Sequence, residues 1–443
     1  MRGIGRNRGK RRDVVEAGER KKRPKLRVIR TTGYSSQMKE EDKMKRGRLV
    51  SVVCVMAIVL ASFLFAGASA RDAFAETKNL KIGLVASMTG PLAPAFKSVI
   101  TAAKPAADFM NQRGGVTIKG QKYQIEMITE DDQSSPQGAV AAANRLLQEE
   151  VKFIIPPVFP IFNMALGPVC EQAKILRMEP NSLEPSMYAP PNHYSFVAEF
   201  TGINPHFVYE KFVQLYPHVK RIAIIRPDDA GMKFTADATV KEIRARGMEV
   251  VIEETYKIGT EDFYPILTKV LAKKPDAIEG IGSTVPWAKA IIEQSREMGF
   301  TGPVNALTAF GAIDVLIKVL NPEYAYDVSA ANPDVHSPKM FPIVKEFGKM
   351  IEKETKEPYS FDHVLPLRAV WVLLQGIQAA QSLDTDKVTE ALENLSSVDT
   401  PYGPGRFGGE DLVGKKRLLI GDIPFSRITK GGKIEFEFLK VKR

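Results

Sequence analysis

Through most of the chain, hydrophobic and polar positions follow two spacings that alternate. Short apolar runs, such as LKIGLVAS (80–87), KFIIPP (152–157) and RIAIIRPDD (221–229), predict buried strands. Each is followed by a longer segment in which apolar residues recur every three to four positions, which predicts a helix. Ser135–Pro136 is a typical helix start, because serine caps the first turn and proline fits its first position. This alternation predicts an α/β fold with parallel sheets covered by helices on both faces.

The alternation occurs twice, and the break between the two runs lies near FVAEFTGINP (196–205). After the second run the pattern changes. KMFPIVKEFGKMIEKET (339–355) and HVLPLRAVWVLLQGIQAAQSL (363–383) predict long amphipathic helices, and the last residues predict a hairpin that turns at Gly431–Gly432. Two helices and a hairpin cannot form a third parallel domain. They are therefore expected to complete the first two lobes, so that the chain crosses between them more than once.

The amino-terminal segment carries the excess charge. Residues 1–75 contain 19 Lys and Arg against 7 Asp and Glu, which leaves 43 basic and 45 acidic residues in the remainder. Without a basic stripe in the body of the protein, nucleic-acid binding is disfavoured. Lys43–Arg48 is positive, Leu49–Gly67 is apolar, and ASA and AFA follow with the spacing of a cleavage site. This order predicts a signal peptide and a periplasmic or extracytoplasmic protein. Cleavage is expected after Ala75, with cleavage after Ala70 and an uncleaved anchor as alternatives.

Two details concern the exported chain. Translation could start at Met1, Met38 or Met44, because the residues before Met38 resemble neither a folded segment nor a signal. Cys170 would be the only cysteine left after cleavage, so no internal disulfide can form. Its surroundings, LGPVCEQAKIL, predict a buried helical thiol.

Catalytic motifs find little support. The histidines are scattered without the spacing of zinc ligands, and no G-x-S-x-G motif occurs. GPGRFG (403–408) matches a dinucleotide-binding pattern but has no strand before it and no helix after it, so it is interpreted as a glycine-rich turn. Glu130–Asp132 ends a strand before a helix start, which favours a solvated or helix-starting role over metal binding. The sequence predicts no catalytic residue, metal or cofactor, and hence no enzyme.

Six candidate segments all lie at the carboxyl ends of predicted strands. This is the position at which open α/β sheets bind ligands. Helix N-termini at these ends offer free N–H groups to an anion. Lys97, one turn into the first helix, could also pair with a carboxylate. The strand-end segments are SMTGPLAP (87–94), PPVFPIFN (156–163), EPNSLEP (179–185), RPDDAGM (226–232), GIGSTVP (280–286) and LTAFGA (307–312).

Four segments, in this order along the chain, are similar to one known family: LKIGLVASMTGPLA (80–93), NQRGGV to KFII (111–155), RIAIIRPDDAGM (221–232) and YGPGRFGG (402–409). They resemble the Leu/Ile/Val-binding proteins, the branched-chain amino-acid class of periplasmic solute-binding proteins, over residues 78–443. The resemblance implies a type I clamshell of two Rossmann-like lobes joined by three hinge crossovers, which hands its ligand to an ABC permease with its ATPase. The expected division is lobe 1 at 76–199 and 331–402, and lobe 2 at 200–330 and 403–443.

The sequence departs from this family where amino-acid binders hold their ligand. Their Ser/Thr-rich loop is replaced by Phe159, Pro160, Ile161, Phe162 and Asn163, and their small-Thr pair by Asn181, Ser182 and Leu183. Thr308 stands where a carboxylate would hold the ammonium. A buried ammonium without a carboxylate partner is strongly disfavoured. The departures therefore predict a ligand that is less polar than a free amino acid.

These observations predict an extracytoplasmic binding protein of an ABC importer, a monomer that captures a small, mainly apolar or aromatic ligand such as a carboxylate or an amide. Alternatives are a protein that binds branched-chain or other amino acids, a ligand-sensing module of a signalling receptor, an enzyme on a similar α/β scaffold, and ordinary core packing for the aromatic residues. The predicted ligand-binding residues are Phe96, Lys97, Phe159, Pro160, Ile161, Asn163, Asn181, Ser182, Leu183, Asp229, Met232, Ser283, Thr308 and Phe310.

Overall fold

The computed structural model describes residues 77–180, 184–198, 205–306 and 313–441, and Met56. The strands alternate with helices, as the hydrophobic spacing predicts. They are β1 (Lys78–Ala86), β2 (Val116–Ile118), β3 (Gln121–Asp131), β4 (Phe153–Ile155), β5 (Leu176–Glu179), β6 (Ser195–Val197), β7 (Arg221–Pro227), β8 (Glu249–Tyr256), β9 (Ala277–Gly280), β10 (Val304–Ala306), β11 (Val328–Ala330), β12 (Val398–Thr400), β13 (Gly403–Gly408), β14 (Leu418–Ile420), β15 (Ile423–Ile428) and β16 (Ile434–Leu439).

The helices begin at signals that the sequence carries. Ser135 Oγ accepts a hydrogen bond from Gly138 N at 3.0 Å, with Pro136 in the first turn. The α-helices are α1 (Ala93–Thr101), α2 (Ala103–Gln112), α3 (Pro136–Gln148), α4 (Pro160–Gln172), α5 (His206–Leu215), α6 (Ala230–Ala245), α7 (Tyr264–Ala272), α8 (Val285–Glu297), α9 (Ile313–Val319), α10 (Pro342–Thr355), α11 (Val364–Ala380), α12 (Thr385–Asn394) and α13 (Glu410–Val413); Pro185–Met187 and Phe361–His363 are 3₁₀ turns.

Two sheets organise the described strands. The first has the order β12-β13-β14-β6-β5-β4-β1-β3-β2, and the second has the order β16-β15-β11-β10-β9-β7-β8. Their central strands are parallel, and antiparallel pairs occur toward the edges. The central β4 and β9 are buried along their whole length, because helices cover both faces of a parallel sheet. We call each sheet, with the helices packed on it, lobe 1 and lobe 2. The predicted α/β clamshell fold is confirmed.

Three crossovers join the lobes. The chain passes to lobe 2 between β6 and β7, and returns after β11. The helices that follow rebuild lobe 1, where Phe347 of α10 meets Phe109 of α2 edge to face, with ring centroids 5.2 Å apart. The last passage lies between Ile420 and Ile423, because β14 is still part of the first sheet.

The predicted assignment of residues 403–443 to lobe 2 is therefore wrong in its first part. β13 pairs antiparallel with β14, and Val197 N of β6 donates to Arg417 O at 3.0 Å. The segment 403–408 is also a strand rather than the predicted turn, since Phe407 is buried edge to face against Phe196 at 5.2 Å. The hairpin at Gly431–Gly432 is present as β15 and β16.

Candidate ligand-binding site between the two lobes

The order of the strands places a crevice in each lobe. In lobe 1, β3 and β4 lie on opposite sides of β1, and in lobe 2, β8 and β9 lie on opposite sides of β7. Such a reversal of strand order separates the loops at the carboxyl ends, and open α/β sheets bind ligands there. The bordering loops are Ser87–Leu92 and Pro156–Phe159 in lobe 1, and Asp228–Asp229 and Ile281–Ser283 in lobe 2.

The acidic residues at the end of β3 hold the neighbouring loop in place. Asp131 Oδ1 accepts hydrogen bonds from the backbone N–H groups of Met88 and Thr89, and Oδ2 accepts one from the Thr89 hydroxyl at 2.6 Å. Burial alone would raise the pKa of Asp131, but these donors bring it below its usual value. Asp132 accepts from the Ser87 hydroxyl at 2.7 Å. Within the described ranges, no group of three His, Cys, Asp or Glu residues could hold a metal ion.

The loop after β4 presents aromatic rather than polar groups. Phe159 is fully buried, and its ring centroid lies 5.4 Å from that of Phe162. Its carbonyl starts α4 by accepting from Phe162 N at 3.1 Å and Asn163 N at 3.3 Å. Ile161 is exposed, whereas Asn163 is buried and its Oδ1 accepts from Arg177 Nη1 at 3.1 Å. Asn163, one of the predicted ligand-binding residues, is therefore hydrogen-bonded to the buried Arg177 of lobe 1.

Pro160 lies at a contact between the lobes. It is the first residue of α4, and it faces Gly231 in the first turn of α6. A Cβ atom placed on Gly231 would be 2.7 Å from Pro160 Cβ and 3.0 Å from Pro160 Cγ. No side chain fits at position 231 in this arrangement of the lobes. Pro160 is thus an interlobe contact, a placement that sequence reasoning on lobe 1 alone did not find.

In lobe 2, Asp229 caps α6. Its Oδ1 accepts from Met232 N at 3.0 Å, and Oδ2 has no hydrogen-bond partner among the described residues. Burial raises the pKa of the Asp229 carboxyl, although the N–H groups of Met232 and Gly231 oppose this, and Glu184 of lobe 1 raises it further. The buried Asp229 therefore has an oxygen available to a hydrogen-bond donor.

Met232, in the first turn of α6, and Ser283, in the loop after β9, lie at the crevice of lobe 2. Gly282 has a φ of 66°, and a Cβ there would lie 2.3 Å from Met232 Sδ, so glycine is required both for its backbone and for this contact. Ser283 is fully buried, and its hydroxyl has no partner in the described part of the chain other than the phenol of Tyr256. The structure brings Asp229, Met232 and Ser283 to the carboxyl end of one sheet.

The two predicted residues of α1 have protein partners. Phe96 is buried in the hydrophobic core. Lys97 Nζ lies 2.7 Å from Glu357 Oε1, and Glu357 also accepts from the Thr101 hydroxyl at 3.1 Å. The Lys97 side chain is 68% exposed, so its charge is paired at the surface. The remaining predicted residues, Asn181, Ser182, Leu183, Thr308 and Phe310, lie outside the described residues, as does the predicted signal peptide apart from Met56.

Three polar residues near the strand ends were not among the predictions. Tyr256 ends β8, and Arg368 donates a hydrogen bond to Pro180 O just after β5. Glu179, the last residue of β5, is fully buried, and neither carboxylate oxygen has a partner among the described residues. Burial raises the pKa of Glu179 well above its usual value, against the attraction of Arg177. In the sequence, Arg368 stands in a mainly apolar helix and Glu179 ends a buried strand. These two positions were the signals that could have identified them as candidate site residues.

The comparison with known proteins agrees with this geometry. A family model described as periplasmic binding protein matches residues 79–433. The chain belongs to the periplasmic binding protein family. Among its relatives, the Leu/Ile/Val-binding protein BraC3 of Rhizobium johnstonii is 27% identical over 367 residues, which cover 80% of this chain and 92% of that protein. The predicted resemblance to the branched-chain amino-acid class is confirmed.

Solved structures of this family share the fold. The branched-chain amino acid transporter substrate-binding protein LivJ of Streptococcus pneumoniae, in complex with isoleucine, has a TM-score of 0.67 at 20% identity, over 82% of this chain and 100% of that one. An ABC transporter solute-binding protein of R. palustris, in complex with benzoate, has a TM-score of 0.67 at 18% identity, over 82% and 96%. Family membership indicates binding rather than catalysis. No helix in the described ranges is long and apolar enough to cross a membrane.

Proposed function

We propose that this protein binds a small, mainly apolar or aromatic ligand, such as a carboxylate or an amide, between its lobes and delivers it to the permease of an ABC importer. The observation that carries the proposal is the loop after β4, at the lobe 1 crevice. It ends in the buried Phe159 and then in Pro160, which meets Gly231 of lobe 2. A ligand held between these loops is enclosed when the lobes meet, and its binding favours the closed state.

The ligand is inferred from the residues and not from the fold. Solved structures with the same fold are complexes with isoleucine and with benzoate. Their sequence identities to this chain are so low that they indicate a shared fold but not a shared ligand. Phe159 and Pro160 offer no hydroxyl group to an amino acid, and proline offers no N–H. Asp131 and Asp132 have donors from their own lobe. These features favour a ligand with a large apolar part.

An amino-acid ligand is the second candidate, and Asp229 is the observation in its favour. An ammonium taken out of water needs a carboxylate partner. Asp229 is buried in the lobe 2 crevice, and its Oδ2 has no partner among the described residues. If the ligand is an amino acid, Asp229→Asn should weaken its binding strongly, whereas the binding of an aromatic acid should change little.

Native mass spectrometry of the protein purified from the extracytoplasmic fraction tests the proposal. We expect a bound small molecule that is aromatic or mainly apolar, at one copy per protein monomer. A co-purified amino acid would overturn the ligand class. The same spectrum gives the mass of the exported chain, and we expect it to begin at Glu76, after cleavage of residues 1–75.

Transport is tested separately from binding. Deletion of the gene should abolish uptake of the identified ligand into cells, and restoration of the protein should restore it. If binding is present but uptake is unchanged while a ligand-dependent cellular response is lost, the protein is a sensing module instead.

A further inference from the structure

The first turn of α8 in lobe 2 has no side-chain cap. Its N-cap residue, Thr284, is in an extended conformation, and its side chain makes no hydrogen bond to the turn. The backbone N–H groups of a first helical turn have no partner within the helix, and they favour a negative charge. Pro286 removes one of these donors, and the others remain at the carboxyl end of the second sheet.

Two buried hydroxyl groups lie beside this turn. Ser283, which precedes the N-cap, is fully buried, and Tyr256 is 3% exposed. The Tyr256 ring lies edge to face with Trp287 of the first turn, with centroids 5.2 Å apart. The two hydroxyls interact with each other, and neither has a further hydrogen-bond partner among the described residues. Burial raises the pKa of the Tyr256 phenol, which stays protonated and can donate, and the nearby Ser283 hydroxyl acts in the opposite direction.

The surrounding charges are compatible with an anion. Arg226, near the end of β7, has its own partner in Glu253 at 2.8 Å, so the first turn of α8 and the two hydroxyls must supply the donors. The pKa of Asp229, which caps the neighbouring helix α6, is raised mainly by burial. The crevice therefore holds donors on one side and the apolar loop of lobe 1 on the other.

We propose that the first turn of α8, with the hydroxyls of Ser283 and Tyr256, binds the carboxylate of the ligand, and that the apolar body points toward Phe159 in lobe 1. The ligand class is a small aromatic or apolar monocarboxylate. This inference rests on the proposed function, and it narrows the ligand from apolar compounds in general to acids.

The test is calorimetric titration of the full exported protein with benzoate and with its uncharged isostere benzamide. The wild type should bind benzoate at least tenfold more tightly than benzamide. Ser283→Ala and Tyr256→Phe should each weaken benzoate binding about tenfold and leave the affinity for benzamide within a factor of two. Ser295→Ala is the matched control, because it removes a buried hydroxyl at the other end of α8 that donates to Ile292 O at 2.9 Å. It should leave both affinities unchanged.

The outcomes separate this inference from the proposed function. If benzoate binds and neither variant weakens it, the carboxylate site is wrong while the apolar ligand class stands. If benzamide binds and benzoate does not, the same conclusion follows. If neither aromatic compound binds and leucine does, both proposals fail. Thermal unfolding of each variant shows that it is folded, and Ser283→Gly replaces Ser283→Ala if that variant is not.

Discussion

The interlobe contact at Gly231 gives the sharpest prediction about mechanism. In Gly231→Ala, the new Cβ would lie 2.7 Å from Pro160 Cβ. Carbon atoms pack best at about 3.5–4.0 Å, so the overlap is about 1 Å. The proline ring cannot rotate away as a long side chain would. Overpacking of this kind costs about 1–3 kcal/mol. Because the overlap exists only while the lobes meet, the closed state carries this cost and the open state does not.

Gly231→Ala should therefore change ligand affinity and the stability of the unliganded protein in opposite directions. If the ligand binds the closed state, the penalty weakens binding by roughly 5- to 150-fold. The unliganded protein should instead become slightly more stable, because alanine replaces glycine in a helix, a gain of about 0.5–1 kcal/mol. Calorimetric titration with benzoate, or with the ligand found by mass spectrometry, measures the first effect, and urea unfolding measures the second.

A compensating substitution makes the test specific. Pro160→Gly removes both ring carbons that the new Cβ meets, so Pro160→Gly with Gly231→Ala should recover most of the affinity lost by Gly231→Ala alone. The interaction energy from this double-mutant cycle should be at least about 1 kcal/mol. An unchanged affinity in Gly231→Ala, or strictly additive effects in the double variant, would refute the view that this contact accompanies closure.

Further predictions concern a buried acid, the aromatic loop and a surface ion pair. Burial raises the pKa of Asp314 to about 7 from the usual 3.8, so the native state keeps a proton that the unfolded state loses between these values. The free energy of unfolding contributed by Asp314 therefore falls as the pH rises through this window. Asp314→Asn should gain up to about 4 kcal/mol over the wild type at pH 8 and little at pH 4 in urea unfolding; an equal difference at both values contradicts this. Phe159→Ala should cost about 3–5 kcal/mol of stability because the ring is fully buried. Phe159→Leu should keep the fold but bind benzoate more weakly. Unchanged benzoate binding in Phe159→Leu would show that the ring belongs to the core and does not contact the ligand. Lys97→Ala should change ligand affinity by less than about threefold, because exposed ion pairs such as Lys97–Glu357 contribute about 0–1 kcal/mol, and a tenfold loss would show that Lys97 contacts the ligand.

Much of the fold could be predicted because its strands are buried on both faces. Runs such as Phe153–Ile155 and residues 222–225 of β7 are continuous apolar segments whose partners lie in the centre of a sheet. β11 and β14 are only three residues long, and they exist because neighbouring strands supply their hydrogen bonds. β13 contains three glycines and a proline, so local propensity argues against a strand and only its pairing on both sides explains it.

The candidate site, like the fold, could be predicted from the sequence only in part. The aromatic character of the loop after β4 is visible in the sequence, and so are the strand ends. The contact of Pro160 with Gly231 joins residues from two lobes and depends on how the lobes meet. The proximity of Tyr256 to α8 depends on the order of strands in the second sheet, because β8 and β9 are separated by β7. Neither the Pro160–Gly231 contact nor the proximity of Tyr256 to α8 can be inferred from the spacing of residues along the chain.

We propose that the lobes enclose an apolar or aromatic compound in preference to a free amino acid. Parallel calorimetric titrations of the wild-type protein with benzoate and with leucine test it most directly. We expect saturable one-to-one binding of benzoate and no saturable heat with leucine. Tight, saturable binding of leucine with no heat from benzoate would contradict it.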